Sequence, residues 1–232
     1  MAGCGGGLGS GGVAAKGGVF RFHPESKAYE LMFSCSGTDD PVKSGRGCFA
    51  LGETRLGQCV FVAGGGDIGT QRALFTVGAD SPPKVLHTYP VLDSPGDPGF
   101  IRGFTLADDG AVYFPSQKGG THNLGTIQRL SADGSPPTIV YHFTGTTGAI
   151  PFTGLLPLPC GRLCGVTLSG GAYGQGAVFS FSPPSSDLPK GGMLLLSSLH
   201  HTSGEQIALA TNSDGSSLRF VSRTTGLRIP SV

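Results

Sequence analysis

Four Gly-Gly pairs, at 11–12, 65–66, 119–120 and 170–171, recur at spacings of 54, 54 and 51 residues. In a chain with 41 glycines among 232 residues, the pairs alone would carry little weight. Three other features travel with them. An alternating segment follows each pair: Val19-Phe20-Arg21-Phe22, Leu74-Phe75-Thr76-Val77, Thr126-Ile127-Gln128-Arg129-Leu130 and Ala177-Val178-Phe179-Ser180-Phe181. Alternation at period two is the mark of a strand. A more apolar segment comes next, as in Leu31-Met32-Phe33-Ser34-Cys35 and Val140-Tyr141-His142-Phe143. A hairpin then precedes the next pair, as in Gly103-Phe104-Thr105-Leu106 with Ala111-Val112-Tyr113-Phe114. There Asp109-Gly110 supplies the favoured chemistry of a two-residue turn.

One repeat is therefore about four strands in roughly fifty residues, with no helical periodicity competing. Units of this kind predict an all-β fold, a β-propeller of four-stranded blades. A single blade has two apolar faces and cannot bury both alone, whereas a ring of blades can. The units run over 11–64, 65–118, 119–169 and 170–225, with 226–232 as a closing strand. That reading gives four blades in one repeat domain. A five-bladed ring, or part of a larger ring, are the alternatives.

Charge excludes some partners. Charged residues make up 13% of the chain and the net charge is +1, so no basic field draws in nucleic acid. No apolar run approaches a membrane span. The start, Met1-Ala2-Gly3-Cys4, lacks the basic and apolar regions of a secretory signal, so the protein is either cytoplasmic or one from which a signal has been removed. Cys48 with Cys59, and Cys160 with Cys164, are near enough in sequence to pair; buried free thiols are the other reading.

The repeat resembles the GloVer-type tandem repeat of bacterial surface proteins. The fourth unit carries the likeness best, in Gly154-Leu155, Gly161-Arg162-Leu163-Cys164-Gly165-Val166-Thr167, Gly170-Gly171 and Gly176-Ala177-Val178-Phe179. The third adds Val140-Tyr141-His142-Phe143-Thr144-Gly145. The resemblance implies a propeller-like fold and an extracellular or cell-surface location. It implies no activity and no functional residues.

Chemistry-bearing residues are sparse. His87 aligns with Phe33 and Tyr141, a half-buried strand position. His142 belongs to a column that is polar in every unit, with Ser34, Thr88 and Ser198. If the chain is an enzyme, His87 and His142 with the loop acids Asp40 and Asp97 are the candidate acid–base residues. His200, His201 and Glu205 form a candidate metal set, for which a solvated loop is the plainer reading. No G-x-S-x-G, H-E-x-x-H or EF-hand pattern occurs, and the glycine runs lack the helix and lysine of a phosphate loop. The expected function is non-enzymatic binding of a glycan or protein partner through loops at one end of the ring, with no cofactor. The alternative is a propeller hydrolase of esters, lactones or glycosides, with one site in the central channel.

Overall fold

A computed structural model describes residues 2–5, 18–34, 48–64, 72–79, 81–90, 97–158, 161–189, 191–199, 208–211, 218–221 and 226–228. Among them there is no helix, and every paired strand is antiparallel to its neighbours. The chain divides into two compact units, one of residues 1–97, 110–112 and 130–137 and one of 98–109, 113–129 and 138–232.

The first unit contains two sheets. One has the order β1 (Ala2–Gly5), β2 (Gly18–His23), β3 (Ala28–Ser34). The other runs β4 (Cys48–Glu53), β5 (Cys59–Gly64), β6 (Arg72–Val77), β7 (Lys84–Tyr89). Their facing side chains form one core of Val19, Phe33, Cys59, Phe61, Ala63, Ala73, Phe75 and Val77. Phe33, Phe61 and Phe75 are mutually in contact, with ring centroids 4.9–5.3 Å apart. Each such ring, fully buried, contributes about 1.5–3 kcal/mol. Beside Phe61 and Phe75 on the same face stand the small Ala63 and Ala73, which pair with each other.

The third sheet comprises β8 (Thr105–Leu106), β9 (Val112–Ser116), β10 (Thr126–Leu130) and β11 (Thr138–His142) in sequential order. In the fourth, the first strand is in two pieces, β12 (Ala149–Pro151) and β13 (Leu156–Pro157), both paired to β14 (Leu163–Ser169). β15 (Ala177–Ser182) and β16 (Gly192–Ser198) complete it. Both faces of β15 are covered. Val178 packs with Cys164, Val166, Leu158 and Leu199, while Phe179 meets Phe143 at 5.2 Å. Phe181, two residues on and thus on the face of Phe179, lies near Tyr113 and Tyr141. The last sheet is β17 (Ala208–Thr211), β18 (Leu218–Val221), β19 (Gly226–Arg228).

Each four-stranded sheet joins the hairpin that precedes a glycine turn to the two strands that follow it. The last two strands of four sheets share a further device. Their register shifts after Val19, Leu74, Ile127 and Val178, leaving Met32, Leu86, Val140 and Leu196 as the extra residue of a β-bulge. One residue past the neighbouring pair, Ser34, Thr88, His142 and Ser198 stand opposite Gly18, Ala73, Thr126 and Ala177. The polar column read from the sequence is thus one structural position.

Of the two readings of the cysteines, the buried free thiol holds for Cys59 and Cys164. Cys48 pairs with Ala63 and Cys59 with Glu53, so Cys48 and Cys59 sit at opposite ends of their hairpin. Cys160 lies outside the described residues. Burial raises the Cys59 thiol and pushes that of Cys164 up to about 12, so neither ionises near neutral pH.

Candidate functional site

The glycine turns explain much of the polar column. Residues 119–125 and 170–176 have the same conformation, with positive φ at Gly119, Gly120, Asn123 and Gly125 and again at Gly170, Gly171, Gly174 and Gly176. Each is closed by one bond between its ends, Gly125 N–H to Gly119 O at 3.2 Å and Gly176 N–H to Gly170 O at 3.0 Å. In each, the residue after the glycine pair donates its N–H to the column side chain. Thr121 donates to His142 Nδ1 at 3.2 Å, and Ala172 donates to Ser198 Oγ at 2.9 Å. To accept that bond, Nδ1 of His142 must be unprotonated. The ring therefore fastens the turn, the task that a serine hydroxyl performs in the next sheet.

His87 and Asp97 are connected in the first unit through two residues that the sequence did not mark. Arg72 opens β6 at the position where Gly125 and Gly176 stand in the other sheets, directly before Thr126 and Ala177. Its guanidinium is buried and paired with the buried Asp97 carboxylate. Across the ladder Arg72 faces Tyr89, and Tyr89 touches His87 edge-on with ring centroids 4.6 Å apart. Burial raises the Tyr89 phenol well above its ordinary value, with Arg72 opposing, so it stays protonated. Burial lowers the His87 imidazole below 6.5, which keeps it neutral at pH 7. His87 makes no hydrogen bond among the described residues. The row offers one neutral base, one phenolic donor and a carboxylate already neutralised by arginine.

Asp40, His200, His201 and Glu205 lie outside the described residues. Among the described residues no group of three metal-binding side chains is assembled. A second carboxylate, Asp109, accepts from the Tyr113 hydroxyl at 2.8 Å and pairs with Arg129 at 3.4 Å, which ties the β8–β9 turn to β10. Burial and the Asp109 bond raise the Tyr113 phenol.

A third constellation, in the second unit, has no counterpart among the residues singled out from the sequence. Arg102 is exposed and stacks on two rings, its guanidinium carbon 5.3 Å from the Phe100 centroid and 4.5 Å from that of Phe152. It makes no hydrogen bond or ion pair among the described residues. Arg102 and Phe152 come from equivalent places. Ile101 bridges to Ser116 before β8, Pro151 pairs with Thr167 before β13, and each first strand breaks just afterwards. The breaks meet at Gly103 and Gly154, which lie in backbone contact, and Thr105 Oγ1 donates to Leu155 O at 2.6 Å. Within the break of the fourth sheet, the buried Thr153 Oγ1 has no hydrogen-bond partner among the described residues. Phe100 is 47% exposed and Ile150 36%. Ile150 has φ 57, a left-handed conformation that a β-branched residue rarely accepts.

No family model and no curated protein matches the sequence. Solved structures do match in shape. Virginiamycin B lyase from Staphylococcus aureus aligns with a TM-score of 0.58 and 12% identity, over 94% of this chain and 64% of that one. PorZ, a bacterial surface component of the type-IX secretion system of Porphyromonas gingivalis, aligns at 0.54 and 14%, over 89% of this chain and 28% of that one. A puromycin hydrolase aligns at 0.50 and 14%, over 88% and 30%. The chain spans less than two thirds of the length of each. At such identities the likeness carries the fold and nothing finer: the chain is an all-β protein with the β-propeller fold.

Proposed function

We propose that this chain is a binding module, which takes a glycan or protein partner on loops and strand ends of one face. One contrast carries the reading. Among the described residues, His142 and Asp97 are engaged in holding the structure together, whereas Arg102 and Phe100 are exposed, and Arg102 makes no hydrogen bond or ion pair, only its stack on Phe100 and the half-buried Phe152. Exposed aromatic–arginine groups are the usual anchors of recognition surfaces. The likeness to PorZ, a surface component, is in keeping with this and with an extracellular or cell-surface location. The GloVer-type character of the repeat is part of the same proposal.

A second reading has its own observation. The His87–Tyr89 row beside Arg72 and Asp97 holds a neutral imidazole with no hydrogen-bond partner among the described residues, as a general base requires. Two of the matched structures are enzymes by name, a lyase and a hydrolase. Under this reading the row activates water against an ester, lactone or glycoside.

A glycan array and capture of protein partners, run beside an esterase, lactonase and glycosidase screen, decide between the two. Binding without turnover upholds the module. Turnover that Ala at His87 abolishes, while Arg102→Gln leaves it intact, upholds the enzyme and ends the binding reading.

A further inference from the structure

We propose that Arg102, Phe100, Phe152 and Thr153 form a recognition site for a carboxylate carried on an apolar or aromatic frame. The inference deepens the binding reading and rests on it. Several observations converge on it. Arg102 is exposed and makes no ion pair among the described residues, so its charge is available. Its guanidinium carbon lies over the Phe152 and Phe100 rings, and its N–H edge makes no hydrogen bond among the described residues. That edge is the part of arginine that matches a carboxylate with two parallel hydrogen bonds.

One residue after Phe152, Thr153 Oγ1 is buried without a hydrogen-bond partner among the described residues. A buried hydroxyl in that state is unfavourable, and a ligand group reaching it would satisfy it. Around these polar atoms the surface is apolar: Phe100 and Ile150 are partly exposed, and Phe152 half-buried. Such a surface selects an acid with a hydrophobic body over a sugar, which would need many donors and acceptors. The φ of Ile150 adds a strained residue two positions before Phe152, and strain of this kind gathers at ligand clamps. The architecture supports the placement, since both first strands break here and Gly103 and Gly154 hold the breaks together.

The test is an NMR titration of the full chain with N-acetylphenylalanine, its amide and hydrocinnamate. The acid is expected to move the Arg102 side-chain N–H and the Gly103 and Thr153 amides, and to bind at least about tenfold more tightly than the amide. Arg102→Gln abolishes the difference, while Arg102→Lys, which keeps the charge but not the planar fork, weakens the acid about tenfold. Hydrocinnamate binding as well as N-acetylphenylalanine assigns the site to free organic acids; weaker binding assigns it to a peptide end. Equal binding of acid and amide, no shift with any probe up to about 10 mM, or Arg102→Gln that binds as the unaltered chain does, overturns the proposal. If a partner is captured equally by the unaltered chain and by Arg102→Gln, this inference falls and the binding module stands.

Discussion

The same position is solved in two ways in this molecule. In the second unit, the residue that opens the third strand of a sheet is preceded by Gly125 or Gly176, each with φ 102 and each pressed onto a neighbouring carbonyl. In the first unit that position is Arg72, without positive φ, and its side chain runs inward to Asp97. One solution is backbone geometry that only glycine accepts. The other is a buried ion pair. Where the repeat has lost its glycine, a specific tertiary contact has replaced it, and specific contacts are less forgiving of change.

The largest expected effect follows from that difference. Asp97→Ala leaves a buried guanidinium uncompensated and lowers stability by about 3–5 kcal/mol in urea or thermal unfolding. Replacing the pair together, as Arg72→Met with Asp97→Leu, returns most of the loss. A single and a double variant of equal stability would refute the ion pair as the element that replaces glycine. On the glycine side, Gly176→Ala sets a Cβ against Thr167 O at a strained φ and costs about 2–3 kcal/mol. Gly174 is the control. It has φ 72 but nothing within 4 Å of an added Cβ, and its counterpart is Asn123. Gly174→Asn is therefore expected to change stability by less than about 0.5 kcal/mol.

A smaller effect tests the column. His142→Ala and Ser198→Ala each remove one acceptor from a turn, and each costs about 1 kcal/mol. If the histidine variant loses a measured turnover while keeping its stability, the turn is not what His142 is for. The smallest effect concerns pH. The folded state lowers the affinity of His87 for a proton, so the unfolded chain binds more protons as acidity rises. The stability this residue contributes is present above its unfolded value of 6.5 and is lost as pH falls through its lower folded value. Unfolding midpoints followed from pH 7.5 to 5 are expected to fall, and His87→Gln is expected to flatten that decline.

The fold could be read from the sequence because its signals are local. Gly-Gly pairs, alternating strands and Asp-Gly turns each declare themselves within a few residues, and repetition multiplied them. The polar column could be read for the same reason, yet its purpose could not: the bond from Thr121 to His142 spans 21 residues. Asp97 read as a loop acid and a candidate acid–base residue, and it is buried in a pair with Arg72. A clue was available, since a charged residue stands where aligned units carry Gly125 and Gly176. Arg102 offered no clue of that kind. Its stack with Phe152 joins residues 50 apart whose strands break at the same point, and no sequence period announces a break.

The four bulges have a consequence for how copies of the chain treat one another. Each lies on the last strand of its sheet, β3, β7, β11 or β16, whose outer side lacks a strand neighbour among the described residues. These strands also expose Leu31, Val85, Ile139 and Leu194. A flat, apolar strand edge is a template on which a second chain can add and a fibre can grow. The extra residue at Met32, Leu86, Val140 or Leu196 bends the strand and puts its hydrogen-bonding groups out of step with any straight newcomer. The same small irregularity that sets the polar column in place thus acts as a guard against aggregation, repeated once for every sheet that needs it.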